Sequence, residues 1–213
     1  MNGIVLEYVE RVKYLGLVLD NTLSWHGQMV SVSQQAMSCL ARLKMNSRVL
    51  NTTMRRRLVV ALILPIFDYG CAVLTNISGS LQQRLQRKFN ACIRFIYGVP
   101  RFDHITPYRR QLGWLTLRSR REFLIACIIY KMLHLQHNNL LRDGFRILLS
   151  VRDRAERRND IFYQSSCRKV TFERSFLLTA IRSWNQLPSD LVALSTFAEF
   201  RVACFNWYFN RDL

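Results

Sequence analysis

The spacing of apolar residues changes near residue 25, and that change divides the chain. Before it they gather in two β-rich runs, Ile4-Val5-Leu6-Glu7-Tyr8-Val9 and Val12-Lys13-Tyr14-Leu15-Gly16-Leu17-Val18-Leu19. The polar pair Glu10-Arg11 between them has roughly hairpin length. Two strands alone are marginal in water, so the sheet that this hairpin would join is expected to lie outside these residues.

Helical periods follow. Over 28–46, Val32, Ala36, Leu40 and Leu43 recur every three or four residues. Thr52 or Thr53 is placed to cap a second helix that carries Arg55-Arg56-Arg57 and then runs almost wholly apolar to Pro65. A third is expected from Ser78 or Ser80 to Tyr97, with Leu81, Leu85, Phe89, Cys92 and Ile96 as its apolar stripe and Gly98 and Pro100 closing it. At ~100° per residue, Arg84, Arg87, Lys88 and Arg94 fall on a separate arc of roughly 120°.

Thr106-Pro107 opens a short helix, and Arg118, Arg120 and Arg121 lead into one over 122–136 whose middle is apolar all round. From 137 to 170 the period degrades, and Val151-Arg152-Asp153-Arg154-Ala155-Glu156-Arg157-Arg158 reads as part of an Arg-rich linker. Order returns at Thr171, with Phe172, Phe176, Ala180 and Trp184 every fourth residue until Pro188 ends the helix. Ser195 or Thr196 caps a last helix carrying Phe197, Phe200, Phe205 and Tyr208. The expected fold is mainly α, a helical bundle preceded by a short N-terminal β-hairpin. Its segments are a hairpin over 1–20, a basic bundle over 21–136, a linker over 137–170 and a C-terminal helical segment over 171–213.

Composition agrees and adds a partner. Half of the 213 residues are apolar, enough for a core, and 8 Gly with 4 Pro are too few for a turn-rich β-sandwich. The charge is lopsided: 31 Lys and Arg against 14 Asp and Glu give +17, and 26 of the 31 are Arg. Such a field repels itself in a compact state, so it needs a reason. A planar guanidinium pairs with phosphate in a way that Lys cannot copy, which points to a polyanion, with nucleic acid ahead of an anionic membrane. The six Cys show no C-x-x-C pair and sit mostly inside apolar runs, as core residues of a reducing compartment. The longest apolar stretches, 58–67 and 123–130, are about half of the ~20 residues a membrane span needs, and residues 1–7 lack a secretory signal pattern. The expected location is therefore intracellular, in nucleus or cytoplasm, with no membrane partner.

No catalytic constellation emerges. Two-metal phosphoryl transfer needs clustered carboxylates, and the chain contains neither Asp-Asp nor D-x-D. Asp68 in Phe67-Asp68-Tyr69-Gly70 is one acid where polymerases use an aromatic-x-Asp-Asp turn. His134 and His137 lack a third ligand, and no Walker A, G-x-G-x-x-G or G-x-S-x-G is present. Three basic clusters remain as candidate nucleic-acid-binding residues: Arg55, Arg56 and Arg57; Arg84, Arg87, Lys88 and Arg94; and Arg118, Arg120 and Arg121. Contacts of this kind hold a phosphate backbone without reading sequence. No catalytic residue, metal ligand or cofactor is assigned.

Val12-Lys13-Tyr14-Leu15-Gly16-Leu17-Val18-Leu19-Asp20, followed by Leu23-Ser24-Trp25, resembles the segment after the polymerase palm in non-LTR (LINE-type, jockey-like) retrotransposon reverse transcriptases. The resemblance continues through Leu64-Pro65-Ile66-Phe67-Asp68-Tyr69-Gly70, Leu85-Gln86-Arg87, Gly98-Val99-Pro100-Arg101 and Leu112-Gly113-Trp114-Leu115-Thr116-Leu117-Arg118. It runs on through Arg121-Glu122-Phe123, Tyr130-Lys131-Met132-Leu133-His134 and Ser183-Trp184-Asn185-Gln186-Leu187-Pro188 to the stretch 197–200. Each motif is weak alone, and their order over nearly the whole chain makes the match fairly specific.

The resemblance implies a thumb-like bundle from a mobile element's RNA-directed DNA polymerase. It assigns a primer-grip role to Tyr14, Leu15 and Gly16, and RNA, DNA or their hybrid as partner. The family's fingers and palm, with the F/Y-A-D-D turn and its Mg²⁺, would lie upstream of Met1. On this expectation the chain is a truncated remnant that binds nucleic acid, does not polymerise alone, and could meet the missing palm in trans. The rival readings are a helical protein-interaction or scaffold module, and a relic without function.

Overall fold

A computed structural model describes residues 8–134, 162 and 170–212. They are mainly helical and include one two-stranded antiparallel sheet near the N-terminus, as the periodicity predicts. The strands are β1 (Arg11–Tyr14) and β2 (Leu17–Asp20); the helices that follow first are α1 (His26–Met45), α2 (Thr52–Leu58), α3 (Leu64–Asp68), α4 (Gly79–Tyr97) and α5 (Thr106–Gln111). The rest are α6 (Leu117–His134), α7 (Val170–Glu173), α8 (Phe176–Asn185), α9 (Ser189–Val192) and α10 (Phe197–Arg211). Apart from Phe162 and Val170, the linker expected over 137–170 lies outside the described residues. Among those described, no helix is long and apolar enough to cross a membrane.

Two compact units result. The described residues up to Gly70 join Asn76–Gly98 in the first, and Cys71–Thr75 join those from Val99 onward in the second. This division departs from the expected break after 136, and α6 supplies the reason. Being apolar on every side, it is buried at Phe123, Ile125, Ala126, Cys127, Ile129, Tyr130 and Met132. It needs cover on several faces and packs against both α8 and α10, so the C-terminal helices share its core.

The first unit opens with a hairpin whose turn differs from expectation. It is Leu15-Gly16, inside the second apolar run, with Arg11 paired to Asp20 and Tyr14 to Leu17; the first run, apart from Tyr8 and Val9, lies outside the described residues. Leu15 and Gly16 have φ of 45° and 80°, the mirror-image turn whose twist suits a two-residue hairpin. Glycine adopts this conformation freely and leucine does not, so surrounding contacts must hold it. The Tyr69 hydroxyl donates to the Leu15 carbonyl. Gly70 comes so close to Leu17 that a Cβ there would lie 2.7 Å from its Cδ2. On the other side, the Val18 amide donates to Oε1 of buried Gln28 at 2.9 Å, fastening β2 to α1.

Asp20 shapes the passage from β2 into α1. Its carboxylate accepts from the amide and hydroxyl of Thr22 at 3.1 and 2.8 Å, and from those of Ser24 at 2.9 and 2.6 Å. Leu23 and Trp25, at φ 51° and 58°, are the strained residues this turn holds. The Ser24 hydrogen bonds bring the Asp20 pKa down to about 2; burial opposes them, and each Thr22 hydrogen bond lowers it by less than burial raises it. A depressed acid stabilises the fold fully above its unfolded pKa of about 3.9 and loses that contribution as pH falls through its folded value. The Asp20 carboxyl carbon is therefore expected to titrate by NMR with a midpoint near 2, the turn loosening between about pH 4 and 2. A midpoint near 3.9 would show the turn unformed in solution.

Helices α2 and α3 form one rod joined by a π-helical turn, Val59–Ile63. Pro65 causes it: proline has no amide proton to give the Ala61 carbonyl and its ring crowds that oxygen, so the chain widens by one residue. Asn51, not Thr52 or Thr53, caps this rod, its side chain accepting from the Met54 amide at 2.9 Å. Helix α4 forms as expected, capped by Ser78 and closed by left-handed Gly98. Its stripe is buried at Leu85, Phe89, Cys92 and Ile96, with Phe89 edge-on to Phe67 at 5.6 Å. Burial pushes the Cys92 thiol up to about 12, in keeping with a core residue.

In the second unit, Trp184 and Phe200 are almost fully buried around α6, and Tyr130 stacks on Phe200 at 4.2 Å. Asn185 pairs with both backbone groups of Phe162 at 2.8 and 3.0 Å. Thr196 caps α10, as the sequence predicts.

Candidate nucleic-acid interface

Helix α4 builds the clearest candidate because its two faces are chemically opposite. With one face committed to the core, Arg84, Arg87 and Lys88 stand exposed, and none forms an ion pair with a described residue. Arg94, on the same arc, is half-buried. The surroundings sharpen the charge: from residue 21 to 98 the chain holds one acid, Asp68, against Arg42, Lys44, Arg48, Arg55, Arg56, Arg57, Arg84, Arg87, Lys88 and Arg94. Like charges at i and i+4, as in Arg84 and Lys88, destabilise a helix slightly, so local stability does not account for them.

The Arg55–Arg57 cluster divides. Arg56 and Arg57 are exposed, but Arg55 is turned inward. One of its nitrogens donates to the Ser47 carbonyl at 2.7 Å and the other to the Phe95 carbonyl at 3.3 Å. Its guanidinium lies over the Phe95 ring at 5.4 Å. Arg55 therefore serves carbonyls at two helix ends, where a cation is electrostatically favoured, and is a structural residue of this unit.

The third cluster lies in the second unit and also divides. Arg118 is exposed and pairs with Glu122 at 2.9 Å, an i, i+4 contact of little energetic weight. Arg120 is half-buried. Arg121 is 8% exposed, and burial lowers its pKa against opposing effects from Cys71 and Glu122. A guanidinium so placed is not presented to a phosphate backbone.

The hairpin tip carries the residues to which the resemblance assigns a primer grip. Tyr14, Leu15 and Gly16 are all exposed. Two stretches that carry the resemblance, Lys13-Tyr14-Leu15-Gly16 and Phe67-Asp68-Tyr69-Gly70, meet here: Phe67 is core, Tyr69 holds the Leu15 carbonyl, and Gly70 admits Leu17.

Two features escaped the sequence reading. Between α1 and α4 lies an open cleft of about 280 Å³. Its α1 wall includes Met29, Ser33 and Met37, a four-residue spacing beside the Val32, Ala36, Leu40 stripe, and that second stripe was its available signal. The other is a buried polar cluster in the second unit. Arg109, 4% exposed, donates to the Trp114 carbonyl at 3.0 Å and, through its two terminal nitrogens, to the Asp212 carboxylate at 3.3 Å and carbonyl at 2.8 Å. Asp212 also accepts from the Thr116 amide at 2.7 Å and hydroxyl at 3.2 Å, and from the Ser119 hydroxyl. No local pattern announces a pair 103 residues apart. Among the described residues, no group of three or more His, Cys, Asp or Glu side chains is placed to hold a metal ion. Compared with protein-family models, curated proteins and solved structures, the chain matches none of them.

Proposed function

We propose that this chain is an intracellular nucleic-acid-binding module of the thumb-like kind found in non-LTR retrotransposon reverse transcriptases. It holds RNA, DNA or their hybrid through Arg–phosphate contacts without reading sequence. The observation that carries the proposal is the row Arg84, Arg87 and Lys88, exposed on a helix that buries its apolar stripe, in a stretch almost free of acids. The meeting of the Lys13–Gly16 and Phe67–Gly70 stretches supports the primer-grip comparison. The reading gives no nucleotide-joining chemistry and no Mg²⁺ to these residues; those would belong to a polymerase palm.

A second reading, a protein-interaction module, is favoured by one observation. Met54, Val60 and Leu62 on the α2–α3 rod and its π turn are large apolar side chains left between 42% and 49% exposed. Salt separates the two. Binding of an RNA–DNA hybrid should weaken steeply as salt rises, log K falling against log salt by roughly 0.7–0.9 per phosphate neutralised. Negligible affinity at low salt would overturn the nucleic-acid reading, and a protein partner retained at high salt would favour the other.

A further inference from the structure

The cleft between α1 and α4 lies at the foot of the cation row. Its apolar lining is Met29, Val30 and Met37 from α1 and Leu81 from α4. Arg84 and Lys88 stand on its α4 side, and Ser33 and Gln34 add a hydroxyl and an amide on the α1 side. The geometry points to this cleft as a receptor for an unpaired nucleobase, with Arg84 and Lys88 holding the phosphates on either side. The inference rests on the nucleic-acid reading above and deepens it, from phosphate contact in general to a preference for single-stranded or locally unpaired substrate.

Three physical constraints lead there. A phosphate is held at the α4 side by Arg84 and Lys88 and not among Met29, Val30, Met37 and Leu81, where its charge would lose hydration without a partner. A fully paired duplex offers this surface only its sugar–phosphate ridges, with the flat faces of its bases stacked away. An unstacked base has an apolar face and is tethered to phosphate, the combination of surfaces that the cleft and its cations present. Thioethers such as Met29 and Met37 make favourable contacts with aromatic rings. The Ser33 hydroxyl and Gln34 amide each donate and accept, so they serve the edge of any base and impose little sequence preference.

An acidic amphipathic helix would also satisfy an apolar cleft with a basic rim. The cations decide against it, since Arg87, exposed between Arg84 and Lys88 in the chain, stands outside the cleft wall. A helix seated in the cleft would leave that cation unused, and a phosphate strand would not.

The test is fluorescence anisotropy at low salt with the full chain and three labelled probes of one length. They are a mixed-sequence single strand, the same strand with abasic sugars throughout, and the fully paired RNA–DNA hybrid. The intact strand is expected to bind at least about fivefold more tightly than the abasic one, the lower end of the range for one stacked base. Ser33→Leu, which fills the cleft from its half-buried wall, should bring the intact strand down to the affinity that the same variant has for the abasic strand. Equal binding of intact and abasic strands to the unaltered chain would overturn the cleft and leave the phosphate reading standing. Failure of all three probes to bind would overturn the nucleic-acid reading itself. Tighter binding of a Glu-rich amphipathic peptide than of the intact strand, lost in Ser33→Leu, would make the cleft a peptide site and overturn the inference.

Discussion

Asp212→Ala is expected to destabilise the second unit by about 3–5 kcal/mol, the usual cost of removing one partner of a buried ion pair. The Asp212 and Arg109 side chains are 10% and 5% exposed. Alanine would leave the guanidinium with only the Trp114 and Asp212 carbonyls, neither of which neutralises it. It would also take the acceptor of the Thr116 amide and leave the Thr116 and Ser119 hydroxyls only their bonds to each other's residue at the start of α6. For a unit of this size the loss corresponds to roughly 10–20 °C in melting temperature. Arg109→Ala should cost less, because the carboxylate keeps its amide and hydroxyl donors and a favourable place at a helix N-terminus. The double variant should be more stable than the sum of the two losses implies. Trp114, Trp184 and Trp207 all lie in this unit, so tryptophan fluorescence follows its unfolding. If Asp212→Ala melts within a degree or two of the unaltered chain, the cluster is hydrated in solution and holds nothing together.

This cluster also marks where sequence reasoning loses its grip. Helix α4 was legible down to its caps because everything that fixes it is local: a four-residue apolar period, a serine before it and a glycine after it. The hairpin was legible in kind but not in register. Its turn depends on Leu15 taking a left-handed conformation, which local preference opposes and which a tyrosine 54 residues away secures. For the same reason an arginine run does not declare which members are free. Arg55, Arg56 and Arg57 look alike in sequence, yet only Arg55 finds carbonyls from two helix ends within reach. The all-apolar middle of α6 announced a central helix, but not that 176–185 and 197–211 would surround it.

Replacing Arg84, Arg87 and Lys88 together by Ala is expected to lower the slope of log K against log salt for nucleic-acid binding by roughly 2–3, if each cation displaces one phosphate counterion. The bundle should remain folded. All three side chains are exposed, none pairs with a described residue, and alanine has a higher helix propensity than arginine or lysine. Removing the Arg84–Lys88 repulsion adds slightly to helix stability. Arg55→Ala is the matched control, a change of one positive charge with the opposite consequence. It takes hydrogen bonds from the carbonyls of Ser47 and Phe95 and a cation from the Phe95 ring, so it should lower the melting temperature of the first unit. Its effect on the salt slope should be small. The contrast tests whether position on α4, rather than total charge, makes an arginine part of the binding surface. A triple variant that keeps its slope, or an Arg55 variant that loses slope without losing stability, would show that the chain's +17 acts only as a diffuse field and that α4 presents no defined site.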